Sequence, residues 1–308
     1  MRYIFTVFIL GISRLLAQHP LFYAMNQAYL SSNPAFAGSS GGVRFQGAVA
    51  LQNPGTNYAN LAWYTGADVS LNRIHSGIGL SYQVLDYQQS LRRSQIDFSY
   101  AFKIHKGIFT FVPAVQLSYF DIQLNKYGTS YGDMIDPRRG FIWNTNEIGP
   151  SADKQNISIS PGILIYTHGF FFGASLLDAN RPDEGLHGPS ARPVTQIYQA
   201  AYRLLIGAER AYRLDTYIKT TFQNPKNNMY QCGLYLTGFD LWTIQASYRY
   251  NDAWIAGVGL NKKRIKAGYN IGYHYRKSDP AAYSHELYLS VSWLSTKQKA
   301  SPFHEPGF

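Results

Sequence analysis

Residues 264–276 read RIKAGYNIGYHYR, and alternate positions fall into two chemical sets. Ile265, Ala267, Tyr269, Ile271, Tyr273 and Tyr275 are apolar or aromatic, while Lys266, Gly268, Asn270, Gly272, His274 and Arg276 are small, polar or charged. A strand turns successive side chains to opposite faces, so this segment has one greasy face and one polar face. Leu241–Tyr250 repeats the pattern, with Trp242, Ile244, Ala246 and Tyr248 against Thr243, Gln245, Ser247 and Arg249. In Leu61–Leu71, Leu61, Trp63, Val69 and Leu71 oppose Tyr64, Asp68 and Ser70. Lipid on one side and a lumen on the other require this sorting.

Carried along the chain, the same reading predicts fourteen strands: 43–51, 61–71, 76–86, 93–102, 108–121, 156–165, 170–177, 195–206, 211–223, 229–237, 241–250, 253–261, 264–276 and 284–294. Most have the length that a tilted membrane strand needs, about nine to eleven residues. Loop length sorts by parity. The even-numbered connections are all short, whereas every long one (52–60, 122–155, 178–194 and 277–283) is odd-numbered. A closed antiparallel barrel of even strand count, with short turns at one rim, long loops at the other and both termini periplasmic, has this signature. The fold class expected is therefore an all-β transmembrane barrel.

Composition points the same way. Charged residues make up 15% and aromatics 16%, with 25 Tyr and 18 Phe. A soluble domain carries about 25% charge, so this surface offers water little. The mean hydropathy of −0.22 accompanies no apolar run long enough for a membrane helix after residue 17. The formal charge is +10, but no Lys/Arg cluster accompanies it, which argues against nucleic acid. Arg2, the apolar run Tyr3–Ile12 and Ala17 read as an export signal cleaved after Ala17. The expected layout is a signal peptide over 1–17, a periplasmic or lumenal segment over 18–42, the barrel over 43–294, and a periplasmic tail over 295–308. The single cysteine, Cys232, shares parity with Tyr230, Leu234 and Leu236 and is expected to face lipid as a small apolar side chain.

The loop Tyr131–Phe141, YGDMIDPRRGF, is the most distinctive stretch. Asp133 and Asp136 could hold a cation, or could pair with Arg138 and Arg139 around the Asp136–Pro137 turn. The reading favoured over a cation site is a partner-binding surface comprising Asp133, Met134, Asp136, Pro137, Arg138, Arg139 and Phe141. Charges on the inward parity include Arg44, Asp68, Asp97, Arg203, Arg213, Asp215, Lys219, Arg249, Lys266 and Arg276. They fit either an anion-favouring channel or opposite charges paired across a polar wall. Segments 18–42 and 122–155 are long enough to plug the lumen. The eight histidines form no constellation, and no nucleophile elbow or phosphate loop is present. No catalysis, cofactor or metal is therefore expected.

The chain resembles the PorP/SprF-type membrane proteins of the type IX secretion and gliding-motility system. The matching residues are NPAFAGS (Asn33–Ser39, including Pro34, Phe36 and Gly38), GDMIDPRRGF (Gly132–Phe141), NRP (Asn180–Pro182) and SHELYLSV (Ser284–Val291). The resemblance implies a non-catalytic outer-membrane barrel that supports export or surface attachment of particular cell-surface proteins through their C-terminal sorting domains. It also implies contact with periplasmic ring components of the machine, with segments 18–42 and 295–308 facing them. A porin-like solute channel is the alternative.

Overall fold

The computed structural model describes residues 22–24, 27–56, 59–88, 90–124, 135–136, 138, 140–141, 153–186, 188–207, 211–223, 228–262, 264–275 and 283–294. Its strands are β1 (Gly42–Gln52), β2 (Asn60–Leu71), β3 (Ser76–Tyr87), β4 (Leu91–Phe102), β5 (Ile104–Lys106), β6 (Phe109–Leu124), β7 (Ile135–Asp136), β8 (Gly140–Phe141), β9 (Asp153–Thr167), β10 (Phe170–Leu177), β11 (Thr195–Ile206), β12 (Tyr212–Phe222), β13 (Asn228–Gly238), β14 (Trp242–Arg249), β15 (Ala253–Lys262), β16 (Ile265–His274) and β17 (Tyr283–Leu294). Fourteen of them form a closed antiparallel wall in which each pairs with its sequence neighbour and β1 pairs with β17. β5 prolongs β4 along β6, and β7–β8 is a separate two-stranded ladder.

The alternation read from the sequence is the alternation of the wall. Phe45, Leu117, Val258 and Leu287 point outward and are about half exposed, while Gln46, Gln116, Ser158 and Asn270 point inward and are buried. An exposed apolar wall with a polar interior inverts a water-soluble sheet, and hydrocarbon is the solvent that stabilises it. Closure leaves the wall without a free sheet edge, in a medium that offers no hydrogen bonds of its own. No helix among the described residues is long and apolar enough to cross a membrane.

Aromatic rings mark two levels on the outside. At the short-turn end Phe45 meets Trp293 (5.7 Å between centroids), and Tyr212 meets Phe239 and Trp242. At the long-loop end Trp63 meets Tyr82 (5.2 Å), Phe222 bridges Tyr198 and Tyr230, and Tyr248 meets Trp254. Such rings, apolar with a polar tip, suit the two membrane–water interfaces.

The strands differ from expectation chiefly at β6 and β9. These run to Leu124 and from Asp153, several residues past the expected 121 and 156, and pair from Thr110↔Tyr166 to Gln123↔Asp153. Asp121, Gln123, Asp153 and Gln155 lie outward on this extension, so the wall there rises above its apolar band. The packed core lies inside the barrel, around the N-terminal segment: Tyr29, Leu30, Phe36 and Ala37 cluster with Val112, Leu164, Phe171, Tyr217 and Tyr235.

Candidate functional site

The segment that precedes β1 fills the lumen. After Ala28, which takes a left-handed conformation (φ 49°), one helical turn, α1 (Tyr29–Ser32), leads into a 3-10 turn over Pro34–Phe36. Asn33 caps that turn by accepting a hydrogen bond from Ala35 N at 2.9 Å. Its amide then donates to the wall carbonyls of Ile163 (3.1 Å) and Ala174 (3.3 Å). This seat requires glycine in the wall. A Cβ at Gly173 would stand 3.0 Å from Asn33 Nδ2, and one at Gly162 would strike Asn33 Oδ1 and Pro34. Pro34 suits the first position of the turn because its missing amide hydrogen is not needed there. Phe36 stacks on Tyr29 (4.7 Å) and meets Phe171 edge-on (5.3 Å), so the NPAF residues pack as a hydrophobic core would.

A charged clamp fixes the exit of the plug. Gly38 has φ +70°, which glycine alone adopts without strain, and its amide donates to Asp68 Oδ2 at 2.9 Å. Asp68 Oδ1 accepts from Arg44 Nε at 2.8 Å, and Arg44 also reaches Phe36 O and Ser39 Oγ. Lys103 Nζ donates to Gly38 O (2.8 Å) and to Ser70 Oγ (2.9 Å). Both members of the Arg44–Asp68 pair are almost wholly buried, and each has further hydrogen bonds, the condition under which a buried pair is tolerated.

The other end of the plug lies towards the long-loop rim. Buried Glu286 on β17 accepts from the amides of Tyr23 and Ala24, the latter at 2.9 Å, and Asn270 donates to the same carboxylate. Gln231 donates to Tyr23 O at 3.0 Å, Arg249 lies 4.8 Å over the Tyr23 ring, and Tyr23 Oη meets His274 Nε2 at 3.2 Å. The N-terminal segment therefore traverses the lumen from the long-loop half, at residues 22–24, to the short-turn rim, where β1 begins.

The loop 178–194 occupies the opposite arc of the same rim. Arg192 bridges Asp178 (2.7 Å) and Glu184 (2.8 Å), and Arg93, stacked over Phe120 at 4.4 Å, reaches Glu184 as well. Asn180 replaces a strand. β9–β10 pairing ends at Gly162↔Ser175, next to Pro161, which has no amide hydrogen. Beyond it Asn180 Oδ1 accepts from Ile159 N (3.0 Å), and Asn180 Nδ2 donates to Ile157 O (2.9 Å). The Asp183 carboxyl is held down to about 2 by its hydrogen bond with Lys154 and by the amides of Ser190 and Gly185.

The expected site residues distribute as follows. Asn33, Pro34, Phe36 and Gly38 lie inside the lumen and buried, not on a free periplasmic surface. Arg203 and Arg213 face inward and share Asp215, and Arg249 pairs with Asp252. Lys266 also faces inward, partly buried. Arg276 and, in the long loop, Asp133, Met134, Pro137 and Arg139 fall outside the described residues. Asp136 and Phe141 are described only as backbone of the β7–β8 ladder, and Arg138 is exposed in its turn. No group of three or more metal-ligating side chains occurs among the described residues. The residues missed by sequence are those that hold the inserts: Lys103, Glu286, Arg93, Arg192 and the wall glycines. Glu286 carried one signal, being a lone acid on the inward parity of the last strand.

In shape the chain is similar to the Pseudomonas putida toluene transporter TodX, at 10% identity and a TM-score of 0.51, covering 86% of this chain and 93% of that one. It is also similar to the CymD monoaromatic hydrocarbon channel, at 12% identity and a TM-score of 0.50, covering 89% and 94%. At such identities the likeness shows the fold alone, a barrel of the outer-membrane type. No sequence among the curated proteins compared matches the chain. The family model described as type IX secretion system membrane protein PorP/SprF matches residues 15–291, which takes in the lumenal plug and nearly the whole wall. The chain is an outer-membrane barrel and belongs to the PorP/SprF family.

Proposed function

We propose that this barrel is a non-enzymatic anchoring component of the type IX system, serving export or surface attachment of a particular cell-surface protein. In this reading the long-loop rim faces the cell exterior and meets the C-terminal sorting domain of that cargo, while the short-turn rim faces periplasmic ring components. The observation that carries it is the lumen itself. A core of Tyr29, Phe36, Phe171, Tyr217 and Tyr235 occupies the path a solute would take, and the clamps at Asp68 and Glu286 hold both ends of the segment. A wall whose interior is spent on packing serves as a scaffold, and its free surfaces are the rims. Deleting the gene should abolish display of one adhesin-like protein while bulk secretion continues. Undiminished display of every such cargo would refute the anchoring role.

A second reading is a solute channel. It is favoured by the likeness in fold to proteins described as a toluene transporter and a monoaromatic hydrocarbon channel. Purified full-length protein in a planar bilayer separates the two readings: silence supports the scaffold, and steady ion-selective steps support the channel.

A further inference from the structure

On the lipid-facing side of the wall, just above the long-loop aromatic level, lies a notch of about 410 Å³ lined by Tyr82 of β3, Arg92, Ser94, Gln95 and Ile96 of β4, and Tyr119, Asp121 and Gln123 of β6. All but the inward-facing Gln95 are on the outward parity. The register places Ser94 beside Asp121 and Arg92 beside Gln123. Below the notch the same strands are apolar: Leu80, Ile96, Phe98 and Leu117 are exposed to hydrocarbon. The notch thus lies where a lipid's polar head would stand over its own chains.

Its chemistry is mixed in a specific way. Arg92 is exposed and makes no ion pair among the described residues, so its guanidinium fork is available to a phosphate. Asp121 accepts from Gln123 through Oδ2 at 2.6 Å, but its Oδ1 is buried without a partner. A buried acceptor left unmade is unfavourable, and rotation of the carboxylate exchanges its two oxygens, so a ligand hydroxyl can supply the missing donor. Ser94 and the amide of Gln123 add further hydrogen-bonding groups, and Tyr82 and Tyr119 flank them with ring faces. Phosphate alone would need only the cation. An acid, an amide, a hydroxyl and two rings beside that cation match a phosphorylated sugar.

We propose that this notch binds the phosphorylated saccharide head of an outer-leaflet glycolipid, with its acyl chains lying along Leu80, Ile96, Phe98 and Leu117. The proposal rests on the orientation taken above, with the long-loop rim outside.

The test uses purified full-length barrel, stripped of lipid in detergent and titrated with lipid A or with phosphatidylglycerol, with bound lipid counted by native mass spectrometry. Wild type should take one lipid A at concentrations where phosphatidylglycerol leaves it bare. Arg92→Ala and Asp121→Asn should each raise the half-saturating concentration at least tenfold without moving the thermal unfolding midpoint. Lys262→Ala, outward at the opposite rim, should bind as wild type. Failure of wild type to take lipid A, equal uptake of the two lipids, or unchanged binding by Arg92→Ala would overturn the proposal. Orientation is read separately, by a membrane-impermeant maleimide applied to intact cells carrying Gln123→Cys with Cys232→Ala. Labelling places the notch outside, and its absence overturns the orientation and with it an outer-leaflet occupant, whatever the titration gives.

Discussion

Phe36→Ala should unseat the plug while leaving the wall standing. The phenyl ring is 2% exposed and lies between Tyr29 and Phe171 at 4.7 and 5.3 Å. Truncating such a ring costs about 3–5 kcal/mol, part of it from the cavity left behind. None of the hydrogen bonds that close the barrel passes through Phe36, so the loss falls on the equilibrium between seated and released plug. At about 1.4 kcal/mol per decade, the released fraction should rise roughly a hundredfold to a few thousandfold. A reporter is available in Ser32, 5% exposed and close in size to cysteine. In a Cys232→Ala background, the rate at which Ser32→Cys reacts with a small soluble maleimide should increase by that factor when Phe36→Ala is added. The thermal midpoint of the wall should stay within a few degrees. A labelling ratio below about threefold would refute the idea that aromatic packing holds the segment in place.

Asp68→Asn removes the partner of a buried guanidinium and weakens the grip on Gly38. Breaking such a pair costs about 3–5 kcal/mol, visible as a lowered unfolding midpoint that Arg44→Gln in the same chain should partly restore. A chain lacking residues 18–38 loses everything described in the lumen up to the clamp. It should conduct in a planar bilayer where the full chain is silent, because fourteen strands enclose a passage once nothing fills it. The Asp183 carboxyl, held at about 2, lies below its ordinary value. The order it gives the 178–194 loop is therefore present at neutral pH and lost as pH falls from about 4 through about 2. Hydrogen-exchange protection of the Ser190 and Gly185 amides should fall across that window, and Lys154→Gln should move the fall to higher pH.

The wall was legible because its information is local. A period of two is present within each strand, and Arg264–Arg276 needs no partner to show which face is greasy. Short turns could be placed for the same reason, since glycine or a left-handed residue marks several of them: His75, Gly107, Gly169, Phe239 and Asp240. The ends of β6 and β9 lie past the expected 121 and 156 because Gln123 and Asp153–Gln155 look like loop residues by composition. Their polarity reflects height above the membrane, and the pairing continues through them. The lumen was harder to read. Asn33 meets Ile163 and Ala174, Tyr23 meets Glu286, and Arg93 meets Glu184, contacts that close the chain over 91 to 263 residues. No window of sequence contains both partners. The inward charges were found by parity, but their pairing as Arg203–Asp215–Arg213 and Arg44–Asp68 depends on which strands lie side by side, which periodicity leaves open.

The path of the N-terminal segment also orders events in time. Its leading residues are held by Glu286 of β17, whose carboxylate Asn270 of β16 supports, and by His274 of β16, on the last two strands of the wall in chain order. The earliest part of the chain therefore has no complete docking place until the latest part has arrived and paired with β1. Final seating reports that the wall has closed, and a barrel stalled before β17 joins is left with a loose, protease-sensitive leader.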